Sequence, residues 1–202
     1  MKKFFAALLV FALTGLGGSL LAQTYTVDVE NSKLAWEGEK VTGKHHGIIN
    51  IQSGQLSRDG ESLSGEFAID MNSIVDFDLE DPQWNQKLVG HLKSDDFFSV
   101  DKHPVSTFKI TNVAEYEAKE GEKATHTITG DLTIKGITHQ ISFPAYVNFN
   151  GETVVAEANF AIDRTKWDIR FRSGSFFENL GDKLIYDDIK FELNLTGAKA
   201  ES

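Results

Sequence analysis

The 202-residue chain has no cysteine. That absence excludes a disulfide framework and any thiolate nucleophile, and it leaves no thiol for a lipid anchor. A core of this size needs no such staples. Positive charge is scarce too: 20 Lys and Arg stand against 30 Asp and Glu, for a formal net charge of −10. A surface of that sign repels nucleic acid and anionic membrane. Beyond the N-terminal segment no apolar run is long enough to span a bilayer. No G-x-S-x-G element occurs and no nucleophile–base spacing stands out. Nothing repeats at a fixed long period.

The N-terminal segment itself has three parts. Lys2 and Lys3 carry charge, Phe4 to Leu13 are apolar, and Gly15 to Ala22 are mostly small and weakly polar. This order predicts a secretory signal peptide over residues 1–22, cleaved after Ala22, and an exported mature chain. The remaining residues, 23–202, suit one domain. Without Lys2 and Lys3 they carry 18 basic and 30 acidic side chains, a net charge of −12.

Period-two alternation dominates this mature chain. Tyr25, Val27 and Val29 alternate with polar neighbours, as do Leu34, Trp36 and Gly38. Leu63, Gly65, Phe67, Ile69 and Met71 share a face, and Ile128, Gly130, Leu132 and Ile134 share another. Ile141, Phe143, Ala145, Val147 and Phe149 repeat the pattern. So do Ala156, Ala158, Phe160 and Ile162, and finally Ile189, Phe191, Leu193 and Leu195. One apolar and one wet face per strand is the pattern of antiparallel sheet. Asp59-Gly60, Lys135-Gly136 and Asn150-Gly151 supply hairpin turns, and Glu120-Gly121-Glu122 marks a further connection. The prediction is an all-β antiparallel fold, sandwich or closed barrel, which periodicity does not separate.

One segment breaks the alternation. Asp81-Pro82 has the residues of a helix start, a capping carboxylate and a proline at the first helical position. Trp84, Leu88 and Leu92 follow at i, i+4 and i+8, which predicts a short amphipathic helix from Pro82 to Lys93. Ser94 or Asp95 then caps a turn carrying Phe97 and Phe98. A second irregular stretch, Ser173 to Lys183, holds Phe176-Phe177 and reads as a loop or a further helical turn.

His91-Leu92, Phe97-Phe98, Pro104 and Phe108, followed by Gly130-Asp131-Leu132-Thr133-Ile134-Lys135-Gly136, resemble the YceI-like family. The likeness extends over most of the mature chain. Tyr25, Val27, Asp28, Ser32, Leu34 and Trp36 look like its opening strands, and Gly43, His46 and Gly47 resemble its G-x-x-H-G turn. Gly65, Phe67, Ile69, Asp70 and Met71 with Ser73-Ile74 match a further signature. Asp163-Arg164 with Trp167, and Asp188-Ile189, match the last two. Trp167-Asp168 departs from the pattern, where an aromatic followed by glycine is expected. The resemblance implies a periplasmic, lipocalin-like antiparallel β-barrel of about eight strands with one or two short helices. Its interior would bind a long-chain isoprenoid lipid, a polyprenyl lipid or a quinone tail. The resemblance also allows a homodimer, for which the sequence carries no signature.

On that reading Trp36, Phe67, Ile69, Phe108, Ile128, Leu132, Ile141, Phe143, Phe160, Phe191 and Leu193 line the barrel. Phe97, Phe98, Phe176 and Phe177 stand at the cavity mouth. The expected role is non-catalytic carriage or sequestration. The lipid is the ligand, no stable membrane insertion is expected, and no catalytic residue, metal ligand or cofactor is assigned. Composition alone favours the plainer alternative that the same rings fill a closed core, as in a packed barrel serving as an interaction or stress-response protein. A further alternative is a metal-dependent hydrolase using His46, His91 and Asp95. The histidine spacing matches no named metal motif, and adjacent His45 and His46 on a strand point to opposite faces. Asp163-Arg164 is either a pair that fixes a turn or a polar handle for a headgroup.

Overall fold

In the computed structural model of the protein, residues 22–200 are described; residues 1–21 of the expected signal peptide lie outside them. The strands are β1 (Gln23–Val27), β2 (Lys33–Lys40), β3 (Gly43–Asp59), β4 (Ser62–Asp76), β5 (Val105–Glu115), β6 (His126–Ile134), β7 (Ile137–Asn150), β8 (Thr153–Asp163) and β9 (Ile185–Lys199). One α-helix, α1 (Pro82–Lys93), separates β4 from β5, and 3-10 turns occupy Arg164–Trp167 and Gly181–Lys183. All strand pairs are antiparallel. β1 pairs with β3 and β9 near one end of the barrel, and β2 pairs with the same two strands toward the other. These two short strands share one position, so the sheet closes as an eight-stranded antiparallel barrel. The break between them is bridged by β9. Asp28 N–H donates to the Thr196 carbonyl at 2.9 Å, and the Ser32 hydroxyl accepts from Thr196 N–H at 3.0 Å. Closure leaves no free strand edge.

The turns follow from local chemistry. Lys135 and Gly136 both take positive φ (52° and 73°) between the paired Ile134 and Ile137, the backbone a two-residue hairpin requires. Gly60 and Gly151 take φ of 60° and 61° in the neighbouring hairpins. Asp168, where the resemblance leads one to expect glycine, holds the left-handed conformation with φ 57°, which a short polar side chain tolerates. Bulges interrupt the β3–β4 register near Ile48–Asn50 and Ile51–Ser53, and β5–β6 near Ile110–Asn112. Such bulges bend long strands around a closed wall.

The core is hollow in the middle and filled at its ends. Around β1, the buried Tyr25, Val27, Leu56 and Val154 close one end, with the Tyr25 hydroxyl donating to the Gly151 carbonyl at 2.9 Å. Near α1, Phe97, Ile134, Ile162, Trp167 and Ile169 pack together, and the Trp167 indole N–H donates to the Leu132 carbonyl at 3.1 Å. Asp81 caps α1 by accepting from Gln83 N–H at 2.8 Å and Trp84 N–H at 3.4 Å. The expected apolar stripe of α1 splits. Leu88 and Leu92 face the interior, whereas Trp84 is 59% exposed with the Lys87 ammonium over its ring. The reason is geometric: residues four apart drift by about 40° per step on a helix, and only the C-terminal half of α1 covers the barrel. Ser94 closes α1, its hydroxyl donating to the His91 carbonyl at 2.8 Å, and its own carbonyl opens the next turn by accepting from Phe97 N–H at 3.1 Å.

Candidate ligand cavity and its rim

Inward-pointing side chains enclose a cavity of about 240 Å³ whose wall is almost wholly apolar. All eleven residues assigned to the interior from the sequence line it. Six of them form a belt. Trp36 lies opposite Phe191 across β2–β9, and Phe191 lies opposite Phe160 across β9–β8. Phe160 stacks on Phe191 (centroids 5.4 Å apart, planes 22°) and on Phe143 (4.4 Å, 14°). Phe108 continues the belt to Phe143 at 5.8 Å and to Phe67 at 6.4 Å.

Glycine decides how far this belt intrudes. A Cβ on Gly130 would lie 2.5 Å from Phe108 Cζ, and one on Gly54 would lie 2.6 Å from Phe67 Cδ1. Both rings therefore lie against bare backbone, which sets them back toward the wall of the cavity they line. Gly38 lines the cavity with nothing within 4 Å of where its Cβ would be, so space is open there. The sequence reading passed over Ile49 and Ile51 of β3, whose alternation about Asn50 was the available signal.

Of the four mouth phenylalanines, Phe97 and Phe98 line the cavity. Phe176 and Phe177 do not. They are 46% and 50% exposed, and the Arg170 guanidinium covers the Phe176 ring at 4.6 Å. Their segment is held outward because the Ser173 and Ser175 hydroxyls donate to Asp187 at 2.9 and 2.7 Å. Leu88 and Leu92 of α1 complete the mouth instead.

Polar groups enter the lining at the α1 end, among them Glu39, Lys40, His45, Arg164 and Asp188. Arg164 is 1% exposed and is fully engaged with backbone. Nε donates to Tyr186 C=O at 3.2 Å, Nη1 to Ile169 C=O at 2.9 Å and Nη2 to Ile185 C=O at 3.1 Å. Its carboxylate partner is Asp187 at 3.1 Å, not Asp163, which accepts from Thr165 N–H and hydroxyl at 2.9 and 2.6 Å. Burial lowers the Arg164 pKa, and Asp187 opposes the shift. Arg164 thus ties the chain after β8 to the start of β9, which leaves its donors committed to the fold.

The grouping of His46, His91 and Asp95 does not assemble. His46 lies beside Asp78 through its backbone N–H (2.8 Å), and His91 pairs with Asp96 at 3.2 Å while meeting Phe97 and Phe171 edge-on. Asp95 accepts from Ser99 and from Lys102, the latter at 2.7 Å. A different set converges: among the described residues, ligand atoms of His45, Asp76 and Asp78 lie within 4.8 Å of one another. His45 Nδ1 is 2.9 Å from Asp78 Oδ2. Burial pushes the Asp76 carboxyl above the ordinary 3.8, and the adjoining Asp78 carboxylate adds to the rise. Burial acts on Asp78 in the same direction but loses to donors. The His46 amide, the neighbouring Asp76 side chain and the His45 ring hold Asp78 at about 2.

A family model for the YceI-like domain matches residues 25–197. The chain belongs to the YceI-like family. Among its YceI-like relatives, a UPF0312 protein of Pseudomonas putida is 32% identical over 155 residues, covering 75% of each chain. A UPF0312 protein of Ectopseudomonas mendocina is 28% identical over 167 residues, again covering 75% of each. Among solved structures, Burkholderia cenocepacia BcnA superposes with TM-score 0.62 at 23% identity, covering 84% of this chain and 98% of that one. A polyisoprenoid binding domain from Saccharophagus degradans superposes with TM-score 0.60 at 11% identity, covering 87% and 98%. At those identities the superpositions establish the barrel alone.

Proposed function

We propose that this YceI-like barrel binds the chain of an isoprenoid lipid, a polyprenyl lipid or a quinone tail, and carries or sequesters it in the periplasm without chemical change. The carrying observation is the cavity. Its wall is a belt of rings and aliphatic side chains, and its polar groups gather at one end, an arrangement suited to an apolar chain inside with a polar head at the rim. Burying such a chain stabilises the complex by roughly 25 cal/mol per Å² of apolar surface, so few polar contacts are needed. The family assignment supports the reading, as does the Saccharophagus degradans relative described as a polyisoprenoid binding domain. Export through residues 1–22 would place the barrel beside membranes that hold such lipids, while its acidic surface would keep docking on anionic bilayers transient.

The test is extraction. The chain is expressed with its N-terminal segment, purified from the periplasm without detergent, and its organic extract is analysed by mass spectrometry. One isoprenoid near one per chain is the expected result. A clean extract from well-folded protein would sink the lipid-carrier reading.

A further inference from the structure

We propose that His45, Asp76 and Asp78 form a binding site for one divalent transition-metal ion of the zinc class at the rim of the cavity. The inference goes beyond lipid binding and does not depend on it.

Three parts of the fold bring the site together. His45 comes from the start of β3, Asp76 from the end of β4, and Asp78 from the segment leading to α1. Gly47, paired with Asp76 across β3–β4, makes the approach possible. A Cβ there would lie 1.8 Å from the Val75 carbonyl oxygen, so no larger residue permits the strands to meet.

The carboxylates are oriented before any ion arrives. Asp76 Oδ1 accepts from Leu79 N–H at 3.0 Å and from Asn85 Nδ2 at 3.3 Å; Asp78 Oδ1 accepts from His46 N–H at 2.8 Å. Supporting hydrogen bonds of this kind are what hold metal-ligating carboxylates in place. Asp76 Oδ2 remains. It is buried and has no hydrogen-bond partner, in a residue only 6% exposed. A buried carboxylate oxygen without a donor, next to a second carboxyl, calls for a positive charge. Asn85, from the second turn of α1, also donates to the Asp76 and Leu79 carbonyls at 3.0 and 3.3 Å, so it secures the loop as well as the ligand.

The donor set selects the ion. One imidazole and two carboxylates suit a borderline cation such as Zn²⁺, whereas Mg²⁺ and Ca²⁺ favour all-oxygen shells of six or more. In a tetrahedral zinc site with bonds of about 2.1 Å, ligand atoms stand about 3.4 Å apart. The ligand atoms now lie within 4.8 Å of one another, so the set contracts on binding to reach that spacing. His45 also lines the cavity, so a three-ligand ion would keep an open coordination position near the mouth.

The experiment uses untagged mature chain stripped with chelator, titrated with Zn²⁺ by calorimetry and with Co²⁺ by visible absorption. One ion per chain with a micromolar or tighter Kd is expected. Asp76→Asn and His45→Gln should each weaken binding at least 10-fold while the metal-free variants keep the wild-type circular dichroism spectrum. His91→Gln should bind as wild type. Asp76→Asn retains Oδ1 and its bonds to Leu79 and Asn85 while a neutral amide replaces the unpartnered Oδ2, so it tests ligation rather than folding. No saturable uptake below millimolar Zn²⁺ overturns the proposal. So does wild-type affinity in folded Asp76→Asn, or loss of binding only in His91→Gln.

Discussion

At the scale of single residues, Gly38 offers the cleanest test of the cavity. Its Cβ position is open and faces the lumen, so Gly38→Leu inserts a side chain where a ligand would lie. The substitution meets no backbone, and in a strand it removes the entropy cost of glycine, so thermal stability should hold within about 1 kcal/mol. Lipid recovered per chain should fall several-fold; full occupancy in Gly38→Leu would place the ligand elsewhere. The Asp76–Asp78 pair predicts a pH dependence of the metal-free protein. Asp76 has a raised folded pKa, so the folded state holds more protons than the unfolded one above the ordinary 3.8, and stability declines as pH rises through that window. Asp78, held at about 2, acts oppositely: its contribution is present above 3.8 and is lost as pH falls toward 2. The pair's contribution therefore falls away on the acid side through Asp78 and on the alkaline side through Asp76. In chelator, urea unfolding of Asp76→Asn at several values from pH 4 to 7 should show a flatter decline than wild type. An equal slope would remove Asp76 as its source. Residue-level legibility followed the same physics. Period two placed Phe143 and Phe160 because strand side chains alternate. Nothing in Phe176-Phe177 distinguished them from Phe97-Phe98, since hydrogen bonds to distant Asp187 help hold their segment outward. The His45–Asp76–Asp78 cluster was likewise invisible, because a bulged β3–β4 register brings its members together.

At the scale of elements, α1 is the part of the wall most able to move. None of its residues is buried, and it touches the barrel mainly along β4, through Leu88, Leu92 and the Asn85 hydrogen bonds. Elements with few buried contacts open at low free energy. Amide hydrogen exchange should thus be faster in α1 than in β8 or β9. Asp81→Ala removes the N-cap at a cost of about 1 kcal/mol and should accelerate both α1 exchange and lipid release; unchanged release would mean that the ligand passes elsewhere. Arg164 is the contrasting case. It joins the chain after β8 to β9 through three carbonyls and Asp187. Arg164→Ala strands those carbonyls and leaves the half-buried Asp187 carboxylate without its cation, and should lower unfolding free energy by roughly 3 kcal/mol, measured by denaturant titration. The bounds of α1 were readable because a capping aspartate, a following proline and a 3.6-residue apolar period are local signals. Its placement over the mouth is set by β4 and β5, which no local signal encodes.

At the scale of the whole molecule, closure is what makes a hollow core tolerable. Each strand's apolar face was legible, but closure depends on β1 and β2 sharing one position between β3 and β9, a pairing that period two cannot specify. A closed wall supports its own hydrogen bonds, and the buried clusters at the two ends stabilise it without a filled centre. The cavity wall nonetheless has no packing partners on its inner side, and the dispersion attraction forgone across a void weakens the fold. A bound chain restores that attraction in the folded state only. Removing ligand from the purified barrel should therefore leave it folded but less stable. At free ligand one hundred times its Kd, linkage gives about 2.7 kcal/mol, which for a chain of this length corresponds to a shift of about 5–11 °C in Tm. Calorimetry before and after organic extraction, then after reloading with a polyprenyl alcohol in mixed vesicles, reads the effect. Recovery of Tm on reloading is expected in wild type and not in Gly38→Leu. Equal recovery in both would show stabilisation from binding outside the lumen.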